Sequence, residues 1–518
     1  MPRCARLSAV LAVGLVATGL VAVPSAAAAV PGGALASRAA VTAAVAAPTQ
    51  KPIAWKSCPG VAPTYSCGTI RVPLDYAQPG GKQISVRVAR YRAPGQRNRQ
   101  GSILFNPGGP GASGVDYLLQ NGQYSVPANL SGQFDVVSWD PRGTGGTIPV
   151  KCSTKLDYLF DGIDYTPDTP AETTRLEAVN AKFARQCAAS SGSTELEHVG
   201  SIDTVRDLDQ VRAALGESKL RYIGYSYGTY YGALYARAFP KRVGQLILDG
   251  VVDPALDTAG LDTSQAKGFE DAFNAFLADC AQKTTCTFHS NGNPGAAYDR
   301  LVASIDANPI PGGDGRTLGA SQFDIGITWL LYGGQFAWGD IANALRDAAR
   351  GDGRAIYAQF ESYTGRTGGA VGTYDGEYQS YLAISCADLP APGDPAATMA
   401  LAHRLQALYP RFGASVATEG LPCSTWPVPA VGKPGPISAK ASPPLLLTSM
   451  SGDPATPLAG AQALQQELRN NSRLVVVPGE MHTATEAGGP CLDTIVRNYM
   501  LQGKLPANAR TDCPSAFG

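Results

Sequence analysis

Residues 224–240 read GYSYGTYYGALYARAFP, directly after the run SKLRYI. A serine between two glycines, at the end of a strand-like run and ahead of a helix-like one, leaves few folds open. The segment fits G-x-S-x-G, the turn that lifts a serine hydroxyl above a parallel sheet. Backbone at such a turn is strained and crowded, so Gly224 and Gly228 stand where a side chain would collide. The helix that follows presents free N–H groups, and its positive end favours developing negative charge. The pentapeptide by itself is a weak signal; a strand before it and a helix after it make it specific. An ordinary serine in a tight turn would explain the glycines but not that context.

The surrounding chain supplies a sheet for such a turn. Residues 69–93 alternate apolar and polar side chains, as strands of a partly exposed sheet do. SILFN (102–106), FDVVSW (134–139), LRYIGY (220–225) and VGQLILDG (243–250) read as buried strands, and TVRDLDQVRAAL (204–215) as a helix with Asp203 as N-cap. Strands alternating with helices describe a mainly parallel sheet covered on both faces. The alternation stops after Pro254 and returns with PPLLLTSMSGD (443–453), AGAQALQQELR, RLVVVPG (473–479) and a last helix, CLDTIVRNYMLQG. The expected organisation is an α/β core over 51–254 and 436–518, interrupted by a helical cap insertion over 255–435.

A serine nucleophile needs a base, and the base needs an orienting carboxylate, in the chain order Ser, acid, His on this fold. Of the four histidines, His198 precedes the serine and His289 and His403 fall in the insertion, whereas His482 follows the last long core strand. Asp453, in the turn GDPATP after a strand, is the favoured acid; Asp249, ending the preceding strand, is its rival. Thr456 either bonds that carboxylate or caps the next helix, the commoner role. The oxyanion requires two N–H donors, expected from Tyr227 and from Gly109 in NPGGPG. That loop continues as GPGASG, which also matches the dinucleotide pattern G-x-G-x-x-G. Gly122 and Pro127 make the following segment a poor long helix, which disfavours the dinucleotide reading.

Lys+Arg and Asp+Glu number 42 each, without the basic surplus expected of a nucleic-acid partner. Arg3 and Arg6 precede an apolar run that ends in small residues, so 1–29 reads as a secretory signal peptide and 30–50 as a low-complexity pro-segment or stem. The expectation is a secreted, extracellular protein with no stable membrane association after leader cleavage. Ten of the eleven cysteines lie beyond the leader, an even number suited to disulfides. Pairing neighbours in sequence gives Cys58–Cys67, Cys152–Cys187, Cys280–Cys286, Cys386–Cys423 and Cys491–Cys513. Without CxxC or HExxH spacing, no metal and no cofactor is expected.

NPGGPGASG, DPRGTGG, GYSYGTYYGALYARAFP, LDGVVDP, AISCADLP, PCSTWP and CLDTIVRNYMLQGKLPANARTDC together resemble secreted bacterial tripeptidyl aminopeptidases. These are serine peptidases of the proline iminopeptidase branch of α/β-hydrolases, and the resemblance runs from about residue 55 to the C-terminus. It implies an α/β-hydrolase fold and the removal of short peptides, typically tripeptides, from the free N-termini of peptides and proteins. It also implies a triad of Ser226, Asp453 and His482, with Gly109 and Tyr227 in the oxyanion positions. Two positions depart from the branch's pattern: Pro107 replaces a histidine ahead of the loop glycines, and Met481 replaces a small residue before His482.

An exopeptidase must recognise an α-ammonium group, and the carboxylates expected to do so are Glu377, Asp388 and Glu480. The same scaffold hosts esterases, so a secreted carboxylesterase or lipase-like enzyme is the alternative. A catalytically silent binding protein is disfavoured by the intact serine, acid and histidine.

Overall fold

The computed structural model describes residues 50–517 except Arg97, Ala128 and Asn129; the expected leader and all but the last residue of the expected stem lie outside the described residues. Ten strands form one sheet: β1 (Lys56–Ser57), β2 (Tyr65–Pro73), β3 (Gln83–Tyr91), β4 (Ser102–Asn106), β5 (Asp135–Trp139), β6 (Leu220–Tyr225), β7 (Val243–Asp249), β8 (Leu446–Met450), β9 (Arg473–Val477) and β10 (Arg510–Asp512). Their spatial order is β1-β2-β3-β5-β4-β6-β7-β8-β9-β10. The first pairings, through β3–β5, are antiparallel, and every pairing from β5 to β10 is parallel. This is the sheet of an α/β-hydrolase, as expected. Strand β10, in the run ANARTDC, carried no sequence signal because only its three residues pair.

The apolar runs dictate the two covering layers. Along β6, Tyr222 points into one hydrophobic cluster while Ile223 and Tyr225 point into the other. Helices are therefore needed on both faces. They are α1 (Gly114–Asn121), α2 (Ser201–Ala214), α3 (Tyr227–Ala238), α4 (Thr258–Gln282), α5 (Ala320–Tyr332), α6 (Arg354–Thr364), α7 (Glu377–Asp388), α8 (Gly413–Glu419), α9 (Leu458–Leu468) and α10 (Pro490–Gln502), with shorter or outlying helices between them. Val115 of α1 and Val496 of α10 pack in the cluster with Tyr225. Val205 of α2, Tyr231 of α3 and Leu464 of α9 pack in the cluster with Tyr222.

Helix α2 starts earlier than its pattern predicts. Gly200 is its N-cap and Asp203 lies inside the first turn. The Asp203 carboxylate is drawn to His198 Nδ1 at 2.8 Å and to Arg206 at 2.9 Å, so it bonds these side chains rather than capping the helix. Between β7 and β8 the chain leaves the sheet for helices and two short antiparallel ribbons. The run FEDAFNAFLADC lies within α4, which buries Phe269, Phe273 and Phe276. All five disulfides join the sequence-neighbour pairs expected, Cys58–Cys67, Cys152–Cys187, Cys280–Cys286, Cys386–Cys423 and Cys491–Cys513.

Candidate active site

Strand β6 ends at Tyr225, and Ser226 turns into α3 with φ 51° and ψ −122°. A non-glycine residue held at positive φ costs about 1–3 kcal/mol and persists only where its surroundings enforce it. Here the Ser226 N–H donates to Asp249 O at 2.9 Å, and its carbonyl accepts the Thr229 hydroxyl at 2.6 Å. Two glycines make room. A Cβ at Gly228 would lie 2.8 Å from Asn106 O, and one at Gly108 would lie 2.8 Å from Ser226 Cβ and 3.1 Å from Tyr227 N. The glycine-rich loop after β4 thus presses directly on the serine turn. Tyr227 is the first residue of α3, so its N–H lies outside the helix's own bonding ladder.

His482 sits on the loop after β9, with Nδ1 at 2.9 Å from Asp453 Oδ1 and 3.1 Å from Oδ2. Asp453 is itself held by the Ala455 and Thr456 N–H groups on Oδ1 and by the Thr456 hydroxyl and Thr483 N–H on Oδ2. Thr456 therefore bonds the carboxylate, and α9 begins after Pro457, so the capping role expected of Thr456 gives way to the acid. Asp249 is committed elsewhere. It accepts from Ala484 N and Thr485 N, both at 2.8 Å, and from the Thr485 hydroxyl at 2.6 Å. Of the two rival acids, only Asp453 bonds the imidazole.

The other imidazole nitrogen, Nε2, is buried without a hydrogen-bond partner. Burial pulls the His482 pKa down, but the Asp453 charge and hydrogen bond, joined by the charges of Glu486 and Asp249, outweigh it, so the net shift is upward from 6.5. The sign follows directly. His482 is expected to titrate above pH 6.5, and in Asp453→Asn, where burial is no longer opposed by a carboxylate at Nδ1, to titrate lower than in the wild type. NMR titration of the four histidines, with His482→Gln to assign the resonance, measures both. An unchanged midpoint in Asp453→Asn would show that the pair is not coupled.

The insertion reaches the histidine loop. Tyr332 O accepts the His482 N–H at 3.0 Å, Gln335 N donates to Glu480 O at 2.9 Å, and the Tyr332 ring stands edge-on to the imidazole at 5.1 Å. Glu480 follows this backbone clamp, with its side chain beside Gly452.

The three expected ammonium carboxylates fare differently. Glu377 opens α7 with its side chain in a crowded but solvent-accessible position. Lost hydration, then Asp375 and Asp116, push its pKa up to about 7. Asp388 is a correction: it is 1% exposed, and its oxygens are filled by Ser201 N, Ser201 Oγ and Tyr227 Oη. Its carboxylate is turned into the fold, toward the start of α2 and the serine turn.

The pair that sequence reasoning missed is Glu419 and Asp262. Glu419, ending α8, accepts from Tyr363 Oη at 3.0 Å and from Tyr381 Oη at 2.9 Å. Asp262, on α4, is 8% exposed. Burial raises both pKa values, in Asp262 with Glu419 and Asp257 adding to it, and no cation among the described residues neutralises either acid. The tyrosines connect these two acids to the serine turn. The Tyr381 backbone nitrogen lies 2.5 Å from where a Cβ of Gly111 would stand. Tyr332, which contacts His482, feels the Glu419 charge. VATEG and GLDTS carry no motif; only the fold brings their acids together.

Residues 409–513 match the family described as TAP-like protein. Over 477 residues the chain is 31% identical to a tripeptidyl aminopeptidase of Streptomyces lividans, covering 90% of this chain and 87% of the relative. Over 480 residues it is 32% identical to the serine protease Hip1 of Mycobacterium tuberculosis, covering 88% and 90%. The chain belongs to the tripeptidyl aminopeptidase-like family. It is accordingly a serine hydrolase of the α/β-hydrolase fold, similar to peptidases. A carboxylesterase B of Mycobacterium tuberculosis is also similar, 34% identical over 483 residues and 91% of each chain, so the family includes members named for ester chemistry.

Proposed function

We propose that this family member is a secreted exopeptidase that releases short peptides, probed first as tripeptides, from free N-termini. Ser226 Oγ attacks the scissile carbonyl carbon while His482 Nε2 takes its proton, and Asp453 holds Nδ1–H and stabilises the imidazolium. The N–H groups of Tyr227 and Gly109 receive the oxyanion. Collapse breaks the C–N bond, His482 returns the proton to the leaving amine, and water activated by His482 hydrolyses the acyl-enzyme. Residues 255–435 act as the cap that closes the cleft, and the leader at 1–29 directs export. Peptide N-termini are the substrate partner, and the chemistry calls for no cofactor.

The observation that carries the exopeptidase reading is the cation-free pair Glu419 and Asp262, one tyrosine away from both the glycine loop and His482. A buried Asp262 and a half-buried Glu419, without a counter-ion among the described residues, favour a cationic ligand, and an α-ammonium is the cation an aminopeptidase must bind. Glu377 remains a third candidate, on the turn of α7 whose backbone meets the glycine loop. Carboxylester hydrolysis is the second reading, favoured by the relative named carboxylesterase B. Mass spectrometry of products from a peptide of mixed sequence tests the proposal. Successive loss of three-residue units from the free N-terminus is expected, whereas internal cuts, or turnover of acyl esters alone, would overturn it.

A further inference from the structure

We propose that helix α7 braces the oxyanion hole, with Asp388 as the positioning residue that sets the Tyr227 end of it. This rests on the assignment of Ser226 as nucleophile and of Tyr227 and Gly109 as oxyanion donors. The inference comes from one helix touching both halves of that hole. Near its N-terminus, α7 packs on the glycine loop: a Cβ at Gly111 would lie 2.5 Å from Tyr381 N and 2.8 Å from Glu377 O. At its C-terminus, Asp388 Oδ2 accepts the Tyr227 phenol at 2.7 Å. The two donors belong to separate segments of the core, after β4 and after β6, and α7 spans the gap between them.

A brace must itself be fixed, and α7 is. Gln379 Oε1 accepts from Cys152 N at 2.9 Å and Ser153 N at 3.1 Å, and Ser380 Oγ donates to Gly143 O at 2.7 Å. Asp388 Oδ1 accepts Ser201 N at 2.8 Å, which ties the end of α7 to the start of α2. The disulfide Cys386–Cys423 holds the same turn to the rest of the insertion. Tyr227 transmits the position well. It is a buried ring packed at 5.5 Å against both Tyr230 and Tyr231, with only two side-chain torsions between the bonded phenol and the backbone N–H. Burial raises the Asp388 pKa to about 6, and the Ser201 and Tyr227 bonds restrain that rise. A carboxylate placed so deep, in contact with the turn rather than the cleft, has positioning as its available role.

The variants are Asp388→Asn and Tyr227→Phe; the latter keeps the backbone donor and removes only the phenol. The probes are a tripeptidyl substrate, the free tripeptide product, and a tripeptide aldehyde whose adduct with serine places an oxyanion in the hole. Both kcat and aldehyde affinity are expected to fall about 10- to 100-fold, less than the 10²–10³ for deleting a donor outright. KM and product inhibition should stay near wild type, and the double variant should lose little more than either single one, as coupled residues do. Unchanged kcat and aldehyde affinity in both folded variants would overturn the brace. So would an equal loss of aldehyde and product affinity, which indicates general loosening. If Asp388→Asn does not fold, Tyr227→Phe decides alone. Ser226→Ala separates the two levels: if it stays active the nucleophile is misassigned, and if it is inert while the other variants match wild type only the brace fails.

Discussion

Ser226→Ala and His482→Ala are each expected to lower kcat by about 10⁴–10⁶, with the fold intact, because members of a triad act as a unit and the second removal adds little to the first. Asp453→Asn should cost about 10⁴, since its carboxylate fixes the imidazole tautomer. The structure sharpens that expectation. Asp453 accepts four hydrogen bonds besides the imidazole's, so an amide in its place must turn an N–H toward donors and disorder the loop as well as the histidine. Phosphonylation by a serine-directed phosphonate, in which Ser226 Oγ bonds phosphorus and expels the leaving group, should be mapped to Ser226 in the wild type and be absent in Ser226→Ala and, on the same timescale, in His482→Ala. Asp249→Asn provides the contrast. Its oxygens serve the turn at Ala484–Thr485, so its loss should reduce stability more than kcat. Near-normal turnover in Asp453→Asn together with a collapse in Asp249→Asn would transfer the acid role to Asp249.

Blocking the substrate's N-terminus is the second large effect. Acetylation removes the cation and leaves the Glu419 and Asp262 charges uncompensated, the situation in which breaking a buried pair costs about 3–5 kcal/mol. At 1.4 kcal/mol per factor of ten, kcat/KM for an acetylated tripeptidyl substrate should fall by about two to three and a half powers of ten. Glu419→Gln should produce much of the same loss with the free substrate while sparing a small uncharged acyl ester. The pH dependence has a definite sign. Both acids have pKa values raised by burial, so in the free enzyme they lose charge as pH falls through a range above the ordinary carboxylate. Capture of the ammonium should therefore weaken on the acid side, and Glu419→Gln should flatten that limb of kcat/KM. Equal cleavage of free and acetylated peptides would remove the ammonium pocket and favour an esterase or endopeptidase.

The core was legible because its signals are local. A short apolar run such as that in SILFN, bounded by Gly101 and Pro107, reads as a buried strand, and G-x-S-x-G between a strand and a helix points to a nucleophile turn. The Asp453–His482 pairing was readable too, since each residue stands at the end of its own strand. Thr456 was left between two roles because capping and carboxylate bonding draw on the same turn chemistry, and only the position of His482 decides between them. Asp388 was misread because a carboxylate beside SCA at a helix end looks the same whether it faces a cleft or a helix start 187 residues earlier in the chain. Glu419 and Asp262 left no trace at all. Their proximity depends on how α4 and α8 pack, which no local spacing encodes.

The backbone clamp between the insertion and the histidine loop has a consequence for loading. On the proposed assignment, a cap swinging away as a lid would carry off Tyr332 O, the main-chain partner of the base itself, and with it the edge-on ring that flanks the imidazole. Admission and competence would then alternate, since the base is fully held only while the cap is seated. In such a cycle a loose chain end would thread in by its own motion before the cap returns to the histidine loop. Selection among proteins would fall on how far the first residues fray from their own domain, so that a tightly packed N-terminus would resist trimming whatever its sequence.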